Sequence, residues 1–205
     1  MSDLLSEHQR EALTEVCAIP LDDGVSLELD HILPIREQDE YGGYRVAIIA
    51  RYESIRTPLK MDITTGDRIT PGAVRYAFHS AFEDKMIDVR AYNIETILAE
   101  KVETILRRSV LNTRPRDFYD VYIIMSTRGQ TIDQDMLAAA LKATAEKRMS
   151  TAALQDPQRI IQALRSDAVM RQRWERYCKE NHYAGGIGFD DVIDVLTRIS
   201  HFPPS

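Results

Sequence analysis

ETILAEKVETILRRSVLNTRPRDFYDVY, residues Glu95 to Tyr122, carries two amphipathic helical patterns joined by a short loop. With about 100° per residue and Leu98 as centre, Ile94, Leu98, Val102, Ile105 and Ser109 fall within about 40° of one line. Lys101 lies roughly 60° off that line, between Ile97 and Ile105, whereas Glu100 points away from it. With Val121 as centre of the second helix, Phe118, Val121, Ile124 and Met125 form the apolar stripe, and Asp117 sits roughly 40° from its middle. Asp120 lies on the flank beside Ile124. Asp117 and Asp120, at i and i+3, project to the same side and can converge on one cation or ligand. Charge on a core-facing surface is costly unless it is paired or used. Lys101 and Asp117 therefore read either as an ion pair pinning one helix to the other or as part of a functional site, and spacing leaves both open.

Upstream of this stretch the period changes. Leu4 to Cys17 reads as a first helix, with Leu5, Ala12, Leu13 and Val16 as its apolar residues. Val25, Leu27, Leu29, His31, Leu33 and Ile35 alternate with Ser26, Glu28 and Asp30, a strand pattern. Tyr41-Gly42-Gly43 marks a turn into a second strand, Tyr44 to Tyr52, and Pro58 opens a third in which Leu59, Met61 and Ile63 oppose Lys60, Asp62 and Thr64. Short connections make these a meander. After the turns at Thr65-Gly66-Asp67 and Pro71-Gly72 the chain reads as irregular up to a further short strand, Met86 to Tyr92. Everything beyond is helical. Asp133 to Lys147 starts from an N-cap at Thr131 or Asp133, Asp156-Pro157 opens another helix, Asp167 to Tyr177 is the next, and Phe189 to Ile199 the last. The expected fold is α+β: a small, mostly antiparallel or mixed sheet of three to four strands followed by a helical C-terminal half, divided as residues 1–92 and 93–205.

Size and charge narrow the function classes. A chain of 205 residues with 44% hydrophobic content can bury a sizeable core. No apolar run approaches the length of a membrane span, and MSDLLSEHQREAL lacks the basic and apolar blocks of a signal peptide, so a cytoplasmic protein without a membrane partner is expected. Cys17 and Cys178 are far apart and form no CxxC, which argues against a disulfide framework or a zinc site. A net charge of −6 argues against whole-surface binding to nucleic acid. A local basic patch remains: Arg107, Arg108, Arg114 and Arg116 surround the loop between the two key helices, as a nucleic-acid contact or as helix capping beside a solvated loop.

Among weaker signals, Gly185, Gly186 and Gly188 precede a helix without following a strand, and read as an interhelical turn rather than a phosphate loop. His31, His79, His182 and His201 have no partners at metal-ligand spacing. Phe118, Tyr119 and Tyr122 read as packing residues rather than a base-stacking platform. Asp62 is different, because an acid in a strand apolar enough to be central needs a cation, a donor or solvent. Glu28 and Asp30 share a strand face, the arrangement that holds paired metals for nucleotidyl transfer, but no glycine turn precedes them and they are read as a decoy.

The succession LKMDITTGD (Leu59–Asp67), ETILAEKVETILRR (Glu95–Arg108) and RPRDFYDVY (Arg114–Tyr122) resembles the AbiEii/AbiGii nucleotidyltransferase toxins of type IV toxin–antitoxin systems, within the DNA polymerase β-like superfamily. The resemblance runs from about Leu13 to Arg148. It implies that Asp62 is the third metal-binding carboxylate, that the AEK lysine Lys101 lies near the nucleotide phosphates, and that Asp117 and Asp120 of the DxxD motif complete the cleft, with Asp117 also contacting nucleotide. It further implies Mg²⁺, an NTP, an RNA acceptor such as tRNA, and a cognate antitoxin.

Members of that family carry, ahead of these motifs, a glycine turn on a helix and an Arg-x-Ser-x-Asp-x-Asp strand that supplies the first two metal ligands. This chain has neither, and Leu4–Cys17 corresponds to the helix that follows that strand. The chain is therefore expected to begin just beyond the first motif and to be weak or inactive alone, with an exposed sheet edge that invites a homodimer. Two function classes stay open: a nucleotidyltransferase toxin with an incomplete site, and a non-catalytic module that binds nucleotide, nucleic acid or protein on the same fold.

Overall fold

The computed structural model describes residues 2–20, 22–35, 43–64, 66, 68–81 and 83–200, and the side chains of 2–7 and 9 are not among what it describes. The Tyr41-Gly42 turn, Thr65, Asp67, His201 and the side chain of Leu5 thus lie outside it. Two compact units divide the chain at Met1–Asp67 and Arg68–Ser205. The α+β class holds, with antiparallel sheets of three and two strands and then a helical C-terminal half.

In the first unit, α1 (Ser2–Cys17) precedes β1 (Ser26–Ile35), β2 (Gly43–Tyr52) and β3 (Ile55–Thr64), which form an antiparallel sheet in the order β1-β2-β3. The middle strand carries the buried positions, Val46 and Ala47. Gly43 is required there: a Cβ would stand 2.6 Å from the Ile63 carbonyl oxygen.

Two expectations change in this unit. β3 begins at Ile55, three residues before Pro58, and follows β2 through a two-residue turn with Glu53 at φ 50°. Pro58 sits inside the strand opposite Ile49, which is tolerated because β3 is the edge strand of this sheet and needs no outward N–H donor. The strand is accordingly exposed along nearly its whole length rather than central. In β1 the register slips between Leu29 and His31, with Asp30 left without a partner on β2. Such a bulge reverses the alternation. Ile32 takes the covered side while Leu33 is 52% exposed, so the in-phase run of Leu29, His31 and Leu33 breaks at Asp30.

The second unit opens with a hairpin of β4 (Val74–His79) and β5 (Met86–Ala91), paired from Val74↔Ala91 to His79↔Met86. β4 forms where the sequence after Pro71-Gly72 predicts irregular chain. Its alternation, VRYAFH, is short and its residues are exposed on both faces, so burial gave the pattern no support. Ties from the segment before it run to the helices: Thr70 N–H donates to Thr96 Oγ1 at 3.2 Å, and Asn93 Nδ2 donates to the Thr70 carbonyl at 2.9 Å.

The helices follow as α2 (Ile94–Arg108), α3 (Pro115–Arg128), α4 (Gln134–Lys147), α5 (Pro157–Ser166), α6 (Ala168–Glu180) and α7 (Phe189–Ile199). Their starts are written in the sequence. Asn93, Asp133, Asp156 and Asp167 each accept a backbone N–H of the first turn, and Pro115 and Pro157 stand at first helical positions. α2 packs against α3 and α4, and its Leu98, Val102 and Ile105 share one buried cluster with Phe118 and Val121 of α3 and with Leu137, Leu164, Trp174 and Val192. Burying these side chains fully contributes roughly 1.5–3 kcal/mol for each large aliphatic residue. Among the described residues, no helix is long and apolar enough to cross a membrane.

Candidate functional site

The charges set into the faces of α2 and α3 meet. Lys101 Nζ lies 2.6 Å from Asp120 Oδ2 and 3.4 Å from Asp117 Oδ1. All three are mostly covered, with side chains 25%, 23% and 15% exposed for Lys101, Asp120 and Asp117. The contact of α2 with α3 positions them, because burial of Leu98, Ile105, Phe118 and Val121 in one cluster fixes the rotation of both helices. The closer partner is Asp120 rather than Asp117.

Ligand-binding capacity is left over in this cluster. An ammonium group has three donors, and the two carboxylates take two of them. Asp117 Oδ2 is buried and has no hydrogen-bond partner among the described residues. Such an atom is costly in a folded chain unless something else satisfies it. The cluster offers one ammonium donor for an anionic oxygen, while Asp117 Oδ2 is closed off from solvent.

A second charged centre on α2 went unread in the sequence. Glu103 is fully buried, and its carboxylate accepts from Arg107 Nε at 2.9 Å, from Arg148 Nη1 and from Ser150 Oγ at 2.6 Å. On the helical wheel Glu103 points roughly 140° from Leu98, toward apparent solvent. α4 and the 3₁₀ turn at Thr151–Leu154 cover that side. The signal available was the i,i+4 spacing of Glu103 and Arg107. These contacts are structural in kind, since the carboxylate is surrounded by donors from its own chain.

The four arginines separate. Arg107 is committed to Glu103, and Arg108 is half-buried, its Nε without a hydrogen-bond partner among the described residues. Arg114 and Arg116 are exposed at the start of α3. The helix α2 ends through Ser109 at φ 47°, whose N–H donates to the Ile105 carbonyl, and not through an arginine side chain. Arg173 of α6 adds a cation that sequence reading missed, donating to the carbonyl of the fully buried Asn112 in the same loop at 2.9 Å.

Asp62 lies in the first unit, on β3. Both its oxygens accept from one guanidinium, Arg45 Nε at 2.7 Å and Nη2 at 2.8 Å. The Asp62 hydrogen bond raises the Arg45 pKa still further above its ordinary value. The cation that this strand acid requires is therefore Arg45, directly across the β2–β3 pairing. Glu28 pairs with Arg51 at 2.6 Å and Asp30 contacts His31 at 3.0 Å, so the carboxylates read as a decoy have partners of their own. Among the described residues no group of three His, Cys, Asp or Glu side chains is placed to hold a metal ion.

The glycine turn before α7 is a helix cap. Asp191 Oδ2 accepts the Gly188 N–H at 2.9 Å, a carboxylate standing where a bound phosphate would otherwise lie. A cavity of about 320 Å³ elsewhere in the second unit is largely apolar, walled by Val102, Leu141, Ile161 and Leu196 among others, and lacks the converging charges of the Lys101 cluster.

A solved structure, the crystal structure of JHP933 from Helicobacter pylori, is 17% identical and aligns over 88% of this chain with a TM-score of 0.38. The chain spans 65% of the length of that protein. No curated protein matches. The family model described as nucleotidyl transferase AbiEii toxin, type IV TA system, matches residues 2–195, and so takes in the helices after Arg148 that the resemblance left aside. With nearly its whole length matched, the chain belongs to the AbiEii family of nucleotidyltransferase toxins.

Proposed function

We propose that Lys101, Asp117 and Asp120 form the nucleotide site of a nucleotidyltransferase that acts on an RNA acceptor such as tRNA. The observation that carries the reading is the part-buried Lys101 ammonium held by two carboxylates, with a donor left over. In the reaction a hydroxyl oxygen of the acceptor attacks the α-phosphorus of an NTP, the bond to the pyrophosphate oxygen breaks, and the hydroxyl proton is released. Lys101 donates to a phosphate oxygen whose charge grows as pyrophosphate leaves. Asp120 and Asp117 hold the ammonium in place beside the nucleotide. Arg114 and Arg116 contact acceptor phosphates. The family also suggests a cognate antitoxin as partner.

Magnesium is expected for this chemistry, with Asp62 as a ligand. The described residues do not fit that ion as they stand: Asp62 is engaged by Arg45, and no second or third oxygen ligand converges on it. The same observation favours a second reading, a non-catalytic module that binds nucleotide at Lys101 without transferring it.

Incubating the chain with labelled NTPs, Mg²⁺ and tRNA separates the two readings. Nucleotide binding that Lys101→Ala removes is expected under both. Transfer dependent on Lys101 and Asp62 favours the enzyme, and binding without transfer favours the module. Binding indifferent to Lys101→Ala overturns the site itself.

A further inference from the structure

Beside the charged cluster lies a set of tyrosines that packing does not fully explain. Tyr119 follows Phe118 on α3 and precedes Asp120. Tyr177 is on α6, and Tyr183 is on the 3₁₀ turn His182–Ala184. Ring centroids are 4.9 Å apart for Tyr119 and Tyr183, and 6.2 Å for both Tyr119–Tyr177 and Tyr177–Tyr183. The hydroxyls of Tyr177 and Tyr183 hydrogen-bond at 2.9 Å. Tyr177 is buried against Trp174 and serves the core. Tyr183 does not: it is 57% exposed, yet two rings and one hydrogen bond fix it.

The cluster borders the proposed nucleotide site. Asp120 and Arg116 both act electrostatically on the Tyr177 hydroxyl, one raising and the other lowering its pKa. Arg114 and Arg116 supply exposed positive charge at the start of α3 in a chain whose net charge is −6. A fixed aromatic face next to local cations matches the chemistry of an unpaired base on its phosphodiester backbone, since every base has a π-face and every linkage a negative charge.

We propose that the exposed face of Tyr183, backed by Tyr119 and Tyr177, stacks an unpaired nucleobase beside Lys101, Asp117 and Asp120. The proposal rests on reading that cluster as a phosphate site. The base belongs either to the NTP or to the single-stranded end of the acceptor, and the shared chemistry is stacking. Because the ring is already held in place, stacking costs little further side-chain freedom.

The test uses the full chain and four probes: ATP, ribose 5′-triphosphate, a labelled single-stranded RNA hexanucleotide, and its abasic counterpart. Tyr183→Ala is expected to weaken binding of at least one base-bearing probe by about 10-fold or more, within the range of base–aromatic stacking. Both baseless probes should bind Tyr183→Ala and wild type alike. Tyr183→Phe, which keeps the ring, should bind like wild type, and circular dichroism checks that each variant is folded. Loss on ATP alone assigns the base to the nucleotide, and loss on the hexanucleotide alone assigns it to the acceptor. Equal binding of both base-bearing probes by Tyr183→Ala and wild type overturns the proposal, as does a Tyr183→Phe defect equal to that of alanine. Lys101→Ala probes the underlying reading separately: it should weaken ATP and ribose 5′-triphosphate, whose phosphates Lys101 is proposed to hold. If it leaves them unchanged while the Tyr183 effect persists, the phosphate reading fails and stacking stands. If no probe binds wild type, both fail.

Discussion

Lys101→Met, Asp120→Asn and Asp117→Asn, made singly and with Lys101→Met combined with each aspartate change, test whether the charged cluster is as tightly coupled as its geometry implies. An exposed ion pair contributes about 0–1 kcal/mol, whereas removing one partner of a fully buried pair costs about 3–5 kcal/mol. Lys101 and Asp120 lie between these limits, with side chains 25% and 23% exposed and their charged atoms 2.6 Å apart. A coupling energy of about 1–2 kcal/mol follows for this pair. For Lys101 with Asp117 the separation is 3.4 Å, at the edge of hydrogen-bond length, and a coupling below about 1 kcal/mol is expected. Lys101→Met alone should be the most destabilising single change, because it leaves two mostly covered carboxylates facing each other without their cation. Urea unfolding of the wild type, the three single variants and the two double variants gives both couplings from midpoints at constant slope. A Lys101–Asp120 coupling under about 0.5 kcal/mol, or a larger coupling to Asp117 than to Asp120, would refute the geometry on which the site rests.

Three further outcomes follow. Glu103→Ala should destabilise the chain by about 3–5 kcal/mol by leaving the Arg148 guanidinium without its buried carboxylate, and Glu103→Gln by less; a thermal shift near zero for the alanine variant would contradict the burial of that network. Burial, and then the Tyr183 hydrogen bond, raise the Tyr177 pKa above its ordinary value, so the fold favours the protonated phenol. The stability this contributes is complete below the unfolded phenol pKa of about 10 and is lost as pH rises through the higher folded value. Absorbance titration should show a late-ionising tyrosine that Tyr177→Phe removes, and a wild-type titration confined to the ordinary phenol range would count against it. The exposed β3 edge and the exposed apolar residues Tyr76, Phe78 and Ile87 of the β4–β5 hairpin should give concentration-dependent self-association, which a monomer in sedimentation across a wide concentration range would exclude.

Much of the helical half was legible because local rules and burial agreed there. The stripe of Leu98, Val102 and Ile105, the aspartate caps, and Pro157 at the head of α5 all point to one arrangement. The convergence of Asp117 and Asp120 on Lys101 was legible too, from helical spacing and a family likeness. Hidden from the sequence was whatever depended on distant cover. Glu103 looks solvent-facing until α4 and the turn at Thr151–Leu154 close over it. Tyr177 and Tyr183 come beside Tyr119 only once α6 packs on α3. The bulge at Asp30 and the edge position of β3 depend on pairing, which alternation alone does not report. Arg45, the partner of Asp62, is identified by strand register and not by the motif around the aspartate.

The central claim is that Lys101 binds the phosphates of a nucleotide, and titration calorimetry of an NTP into the wild-type chain and into Lys101→Ala measures it most directly. Saturable binding to the wild type and at least a 10-fold weaker affinity in the variant are expected, from the loss of one charge-assisted hydrogen bond of about 1.5–3 kcal/mol. Equal affinities in the two proteins, with both folded, would contradict it and leave Lys101 as a helix-to-helix ion pair alone.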